Sequence, residues 1–83
     1  MVVINEVTRS LLFIKQTKQL DGFLLQKLKK QIEKIIENPE TGKPLKYRKG
    51  ERSLYIRPFR LVYVVRLNEI ILLKFDHRKR VYK

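Results

Sequence analysis

The apolar pattern of this chain changes period once, at Asn38-Pro39, and that change dictates the order of its elements. Before it, Leu25, Leu28, Ile32 and Ile35 recur at steps of three, four and three, one stripe of a helix. After it, residues 52–57 alternate, with Leu54 and Ile56 on one face and Ser53, Tyr55 and Arg57 on the other, the period of a strand. Asn38 tolerates a left-handed helix end and Pro39 cannot continue the helical ladder, so the switch is abrupt.

The remaining elements follow from local chemistry. Asp21 caps the long helix, and Lys27, Lys30 and Lys34 line a solvated side of it. Thr8 is positioned to cap a first helix running to about Lys18, with Leu11, Leu12 and Ile14 as its apolar side. The β-branched run Val2-Val3-Ile4 makes Met1 to Glu6 an expected strand. Residues 39–44 form a polar connection. Pro58 and Asn68 punctuate two further strands, Arg60 to Arg66 and Glu69 to Phe75, which complete an antiparallel meander. The expected fold is α+β: an N-terminal strand, a two-helix hairpin and a three-stranded antiparallel meander in one small sheet. With 83 residues the chain supports one modest core, so residues 1–83 read as a single domain.

The second and third meander strands are apolar on both faces, and two helices cover only one face of a small sheet. The other face calls either for the chain's own tail or for a protein partner.

Charge is the first functional signal. Twenty Lys/Arg against eight Asp/Glu give +12. Residues 1–42 hold seven basic and five acidic residues, whereas residues 43–83 hold thirteen and three. A field this lopsided attracts polyanions, of which nucleic acid is the commonest, and counterion release from phosphates then dominates the contact energy. The duller reading is a lysine-rich surface that only solvates. Runs such as Leu61 to Val65 are far too short to span a membrane, no signal peptide opens the chain, and no cysteine is present, so a cytoplasmic protein is expected.

His77 is the only histidine, and Glu51, Glu69 and Asp76 are the only acids after Gly42, so neither a metal set nor a conventional triad assembles. No P-loop or dinucleotide fingerprint is present and no cofactor is implied. What remains is Arg, Lys, Tyr and one His. RNA carries its own nucleophile, the 2′-OH, beside the scissile phosphate, and guanidinium groups stabilise the transition-state charge without a metal. The same residues also serve simple phosphate binding.

The pattern resembles the RelE/ParE toxin superfamily over nearly the whole chain. The resemblance is carried by residues 13–21 before the long helix, Asn38-Pro39-Glu40-Thr41-Gly42-Lys43-Pro44-Leu45 after it, Phe59-Arg60-Leu61-Val62-Tyr63 in the middle strand, and the ending His77-Arg78-Lys79-Arg80-Val81-Tyr82. It implies a RelE-like, microbial RNase-like fold and the toxin of a type II toxin–antitoxin system. It also implies a metal-independent, ribosome-dependent endoribonuclease that cleaves mRNA and blocks translation. The implied partners are a cognate antitoxin in a hetero-oligomer, the ribosome and mRNA. By position, Arg60 resembles the strand arginine that contacts the scissile phosphate, Arg78 the C-terminal arginine, and Tyr82 the terminal tyrosine that serves as general base or stacks on a base. His77 takes an acid/base share if it matches the histidine some members carry there. Lys43, Lys46, Arg48, Lys49, Arg52, Arg57, Lys79 and Arg80 are the expected RNA contacts. The site requires Arg60 and Arg78 to converge on one phosphodiester. RelE enzymes commonly place lysines on the strand before the turn, where this chain has Ser53 and Tyr55. That departure keeps two alternatives open: a ParE-like toxin that acts on DNA gyrase without cleaving RNA, and a degenerate member that only binds RNA.

Overall fold

The protein is described by a computed structural model covering residues 3–81. Its elements run β1 (Glu6–Arg9), α1 (Leu11–Thr17), α2 (Gly22–Glu37), β2 (Lys43–Pro44), β3 (Glu51–Ile56), β4 (Phe59–Arg66) and β5 (Glu69–His77). The strands form one five-stranded sheet in the order β1-β5-β4-β3-β2, with β1 parallel to β5 and every other pair antiparallel.

Alternation along the strands sorts their side chains. Leu61 and Tyr63 of β4, Ile70, Leu72 and Phe75 of β5 and Ile56 of β3 join Phe13 of α1 and Leu28 and Ile35 of α2 in one buried core. Burying each large apolar side chain contributes on the order of 1.5–3 kcal/mol. The β4–β5 register shifts between Val62 and Tyr63, so Leu73 is the extra residue that keeps both Leu72 and Phe75 on the helix side.

The expectation for α2 and the meander holds in extent: Asp21 caps α2 by accepting the Leu24 N–H at 2.8 Å, and the helix ends at Glu37, but its C-cap Asn38 is extended (φ −141°, ψ 95°) rather than left-handed. Further expectations need correction. Leu11, Leu12 and Ile14, read as the apolar side of the first helix, are exposed, and Phe13 is the residue α1 buries, because only that side of this short helix meets the core. The first strand is Glu6–Arg9 rather than Met1 to Glu6, because parallel pairing to β5 selects the residues opposite Glu69–Leu72. Residues 3–5 form no strand, and Met1 and Val2 lie outside the described residues. Thr8 lies in that strand and its hydroxyl donates to Glu69, so it does not cap α1. The cap is Ser10, which accepts the Phe13 N–H at 3.0 Å and donates to the Leu73 carbonyl at 2.5 Å. Finally, Lys43–Pro44, read as loop, pairs with Arg52 and Ser53 as a short edge strand.

Because β1 ends at Arg9, opposite Leu72, the rest of that β5 edge lacks a strand partner among the described residues. Ser10 takes the Leu73 carbonyl, and the Gln16 side-chain oxygen accepts the Phe75 N–H at 2.7 Å. Helix α1 therefore closes the edge of the sheet as well as covering its face. On the opposite face Val62 is fully buried, and in the tail Val81 is buried too, although neither belongs to the helix-side core. The backbone after His77 turns back through Arg80 N–H and Val81 N–H bonds to the His77 carbonyl.

Candidate nucleic-acid interface

The open face is built from the strand positions of opposite parity. The β3–β4 register puts Ser53 beside Val62 and Tyr55 beside Arg60, and the β2–β3 register puts Lys43 beside Ser53. Arg60, at the start of β4, donates to the Ser53 hydroxyl at 3.1 Å, and its guanidinium carbon lies 5.0 Å from the Tyr55 ring centroid. The Arg57 guanidinium carbon lies 5.9 Å from the same ring. Tyr55 thus holds two guanidinium groups on the sheet surface by cation–π attraction, on the order of 0.5–1 kcal/mol each at exposed sites.

Two open hollows meet at Tyr55. One, of about 310 Å³, is lined by Thr41, Lys43, Ser53, Leu54, Tyr55 and Arg60. The other, of about 410 Å³, is lined by Tyr55, Arg57, Pro58, His77, Arg78 and Lys79. Arg60 and Arg78 do not line one shared hollow, as full convergence would require. They line adjoining hollows with Tyr55 as the common wall. The Arg78 N–H donates to the Pro58 carbonyl at 3.0 Å, which ties the tail to the β3–β4 turn and places it beside Arg57.

The other candidates separate by position. The His77 ring packs edge-on to Phe59 at 6.1 Å, and its Nδ1 accepts the Lys79 N–H at 3.2 Å. Through that bond the ring helps to shape the tail turn. Arg80 lies 3.7 Å from the Asp76 carboxylate as an exposed ion pair. Lys46, Arg48 and Lys49 lie in the exposed β2–β3 loop, at the far end of β3 from Arg57. Tyr82 lies outside the described residues.

Arg52 faces the helix side and donates to the carbonyls of Gly42, at 2.7 Å, and Glu40, at 3.3 Å. The Tyr63 hydroxyl holds the same loop, donating to the Pro39 carbonyl and accepting the Gly42 N–H, both at 2.8 Å. Burial pushes the Tyr63 phenol above its ordinary pKa of 10.0, with the Gly42 hydrogen bond and the nearby Arg52 charge opposing the shift. The segment that carries Lys43 to the open face is therefore anchored from beneath. Sequence reasoning did not foresee this anchor, although Arg52 shares strand parity with Leu54 and Ile56.

Two helices packed on a five-stranded sheet, with cations on the opposite face, define a small basic α+β domain. Residues 8–82 match the model of the family described as ParE toxin of type II toxin-antitoxin system, parDE, and the chain belongs to that family. It is thus a toxin of a type II toxin–antitoxin system. The fold is shared with the isolated Escherichia coli RelE toxin, with a TM-score of 0.76 and 23% identity over 92% of this chain and 88% of that one. RelE in the RelB–RelE antitoxin–toxin complex of Methanococcus jannaschii gives a TM-score of 0.73 and 20% identity over 90% and 94%. The YoeB dimer of Staphylococcus aureus gives 0.74 and 24% over 93% and 99%. A search of curated proteins finds no match.

Proposed function

We propose that this toxin is a metal-independent endoribonuclease that cleaves mRNA on the ribosome and so blocks translation. The observation that carries the reading is the ring of cations around Tyr55: Lys43 and Arg60 on one side, Arg57, Arg78 and Lys79 on the other. In the proposed reaction the 2′-oxygen attacks the adjacent phosphorus, the bond to the 5′-oxygen breaks, and a 2′,3′-cyclic phosphate and a 5′-hydroxyl result. One proton leaves the 2′-OH and one reaches the departing 5′-oxygen. Arg60, preset by Ser53 and Tyr55, anchors the scissile phosphate from one hollow, while Arg78 and Lys79 line the adjoining one and offset charge developing on its oxygens only by extending past Tyr55.

A cognate antitoxin belongs to the same proposal, since the Methanococcus jannaschii RelE relative was solved as an antitoxin–toxin complex. Leu11 and Phe23, 83% and 73% exposed, give the helices apolar side chains for such a partner to cover.

Primer extension on mRNA after induction tests the activity. New 5′ ends are expected within translated messages, dependent on ribosomes, and absent for a folded Arg60→Ala, Arg78→Ala double variant. Full toxicity of that variant would refute the assigned site. A second reading, a ParE-like toxin acting on DNA gyrase, is favoured by Ser53 and Tyr55 standing where RelE enzymes carry lysines. DNA breaks with intact mRNA would establish it.

A further inference from the structure

Tyr47 is 87% exposed, contributes nothing to the core, and stands between Lys46 and Arg48 at the tip of the β2–β3 loop. The loop is closed by its own backbone: the Leu45 N–H donates to the Glu51 carbonyl at 2.9 Å, the Arg48 N–H to Leu45 at 3.4 Å, and the Glu51 N–H to Arg48 at 3.0 Å. Gly50 completes the return with φ +83°, a conformation that L side chains rarely adopt. The Lys46 ammonium lies 5.4 Å from the Tyr47 ring centroid. Beside the ring, Leu45, Lys46, Tyr47 and Arg48 line an open hollow of about 430 Å³.

We propose that this loop is a second RNA-binding site, in which Tyr47 stacks on an unpaired base while Lys46, Arg48 and Lys49 hold the flanking phosphates. An apolar wall with a cationic rim fits a ligand with an aromatic face and a negative backbone. Glu51 is the one carboxylate in residues 45–51, against three cations. The site continues the candidate cleavage face, because Lys43 pairs with Ser53 on one edge and leads through Pro44 into the loop. From Ser53 to Glu51 is only ~7 Å along β3. A single strand anchored at Arg60 thus reaches Tyr47 by running along the β2–β3 edge.

The inference rests on the reading of this chain as an RNA-directed toxin, and its test separates the two. Binding of a fluorescein-labelled single-stranded RNA decamer is measured by anisotropy for the wild type, Tyr47→Ala, Tyr47→Phe and Arg60→Ala. Stacking on an aromatic side chain is worth roughly 1–3 kcal/mol per base, so Tyr47→Ala is expected to weaken binding about 5- to 150-fold. Tyr47→Phe should stay within about twofold of wild type, and the salt slope should not change, since no charge is removed. Scanning abasic sites through the decamer supplies an arm that needs no variant fold: one abasic position should erase the difference between wild type and Tyr47→Ala. Wild-type affinity in Tyr47→Ala with weakened binding in Arg60→Ala overturns the stacking site and leaves the RNA reading standing. No RNA binding by the wild type overturns both. Ultraviolet cross-linking on programmed ribosomes then distinguishes the source of the base. Cross-links from residues 45–49 to message or to ribosomal RNA support the site, and cross-links to ribosomal protein alone overturn it.

Discussion

The Tyr63 hydroxyl sits 2.8 Å from the Gly42 amide, and a Cβ added at Gly42 would lie 2.8 Å from that same oxygen and from the ring carbon beside it. The close approach is possible only without a side chain, and the ring is rigid and fully buried, so nothing yields. Gly42→Ala is expected to cost about 1–3 kcal/mol through overpacking. Tyr63→Phe should cost a similar amount, on the order of 1–3 kcal/mol, by leaving the Gly42 N–H and Pro39 carbonyl short of a partner. Urea unfolding measures both. The two penalties should not add in the double variant, because each breaks the same contact.

The raised Tyr63 pKa gives stability a direction with pH. Above 10.0 the phenol of the unfolded chain ionises while the buried one keeps its proton. The unfolded state then binds fewer protons, and stability falls as pH rises from 10.0 towards the folded-state pKa. The Tyr63 contribution is fully present below that window. Urea midpoints followed across alkaline pH should decline more steeply for the wild type than for Tyr63→Phe. Parallel curves would show that Tyr63 is not the group responsible.

Leu67 offers a change in the opposite direction. It occupies the β4–β5 turn with φ 52° and is 94% exposed, so its side chain pays the left-handed backbone penalty without packing gain. Asn adopts this conformation more readily. Leu67→Asn is expected to stabilise the fold by about 0.5–1 kcal/mol, raising Tm by roughly 2–8 °C in a domain of this size. Thermal unfolding followed by circular dichroism reads the change directly.

How far the fold could be read in advance depended on whether an element buries a face. The α2 stripe and the β3–β5 alternation are imposed by the core, so Leu28, Ile35, Leu61 and Leu72 announced them. Strand β1 buries none of its four residues and β2 has only two, so neither leaves a periodic trace. Ser10 outcompeted Thr8 as a cap because pairing with β5 held the chain extended through Arg9, a non-local constraint. At the candidate site Arg60 was visible as a charge opening an apolar strand, whereas the role of Tyr55 depends on register. Arg52 was grouped with the RNA contacts by charge alone, although its parity with Leu54 and Ile56 already placed it towards the helices.

That distinction gives the sharpest functional prediction. Five cations surround Tyr55: Lys43, Arg57, Arg60, Arg78 and Lys79. If all five neutralise phosphates of a single strand, together they should contribute roughly −3.5 to the slope of log affinity against log salt, about −0.7 per contact, in addition to what Lys46, Arg48 and Lys49 contribute. Replacing any one with Ala should flatten the slope by about 0.7 while leaving stability nearly unchanged. Arg52→Ala should behave in reverse. It removes the bonds to the Gly42 and Glu40 carbonyls, so it should lower stability by about 1–3 kcal/mol and leave the slope intact. Salt titrations of RNA binding, paired with urea unfolding of the same variants, separate the two groups. An Arg52→Ala variant with full stability and a flattened slope would move Arg52 to the RNA face and contradict the strand parity argued above.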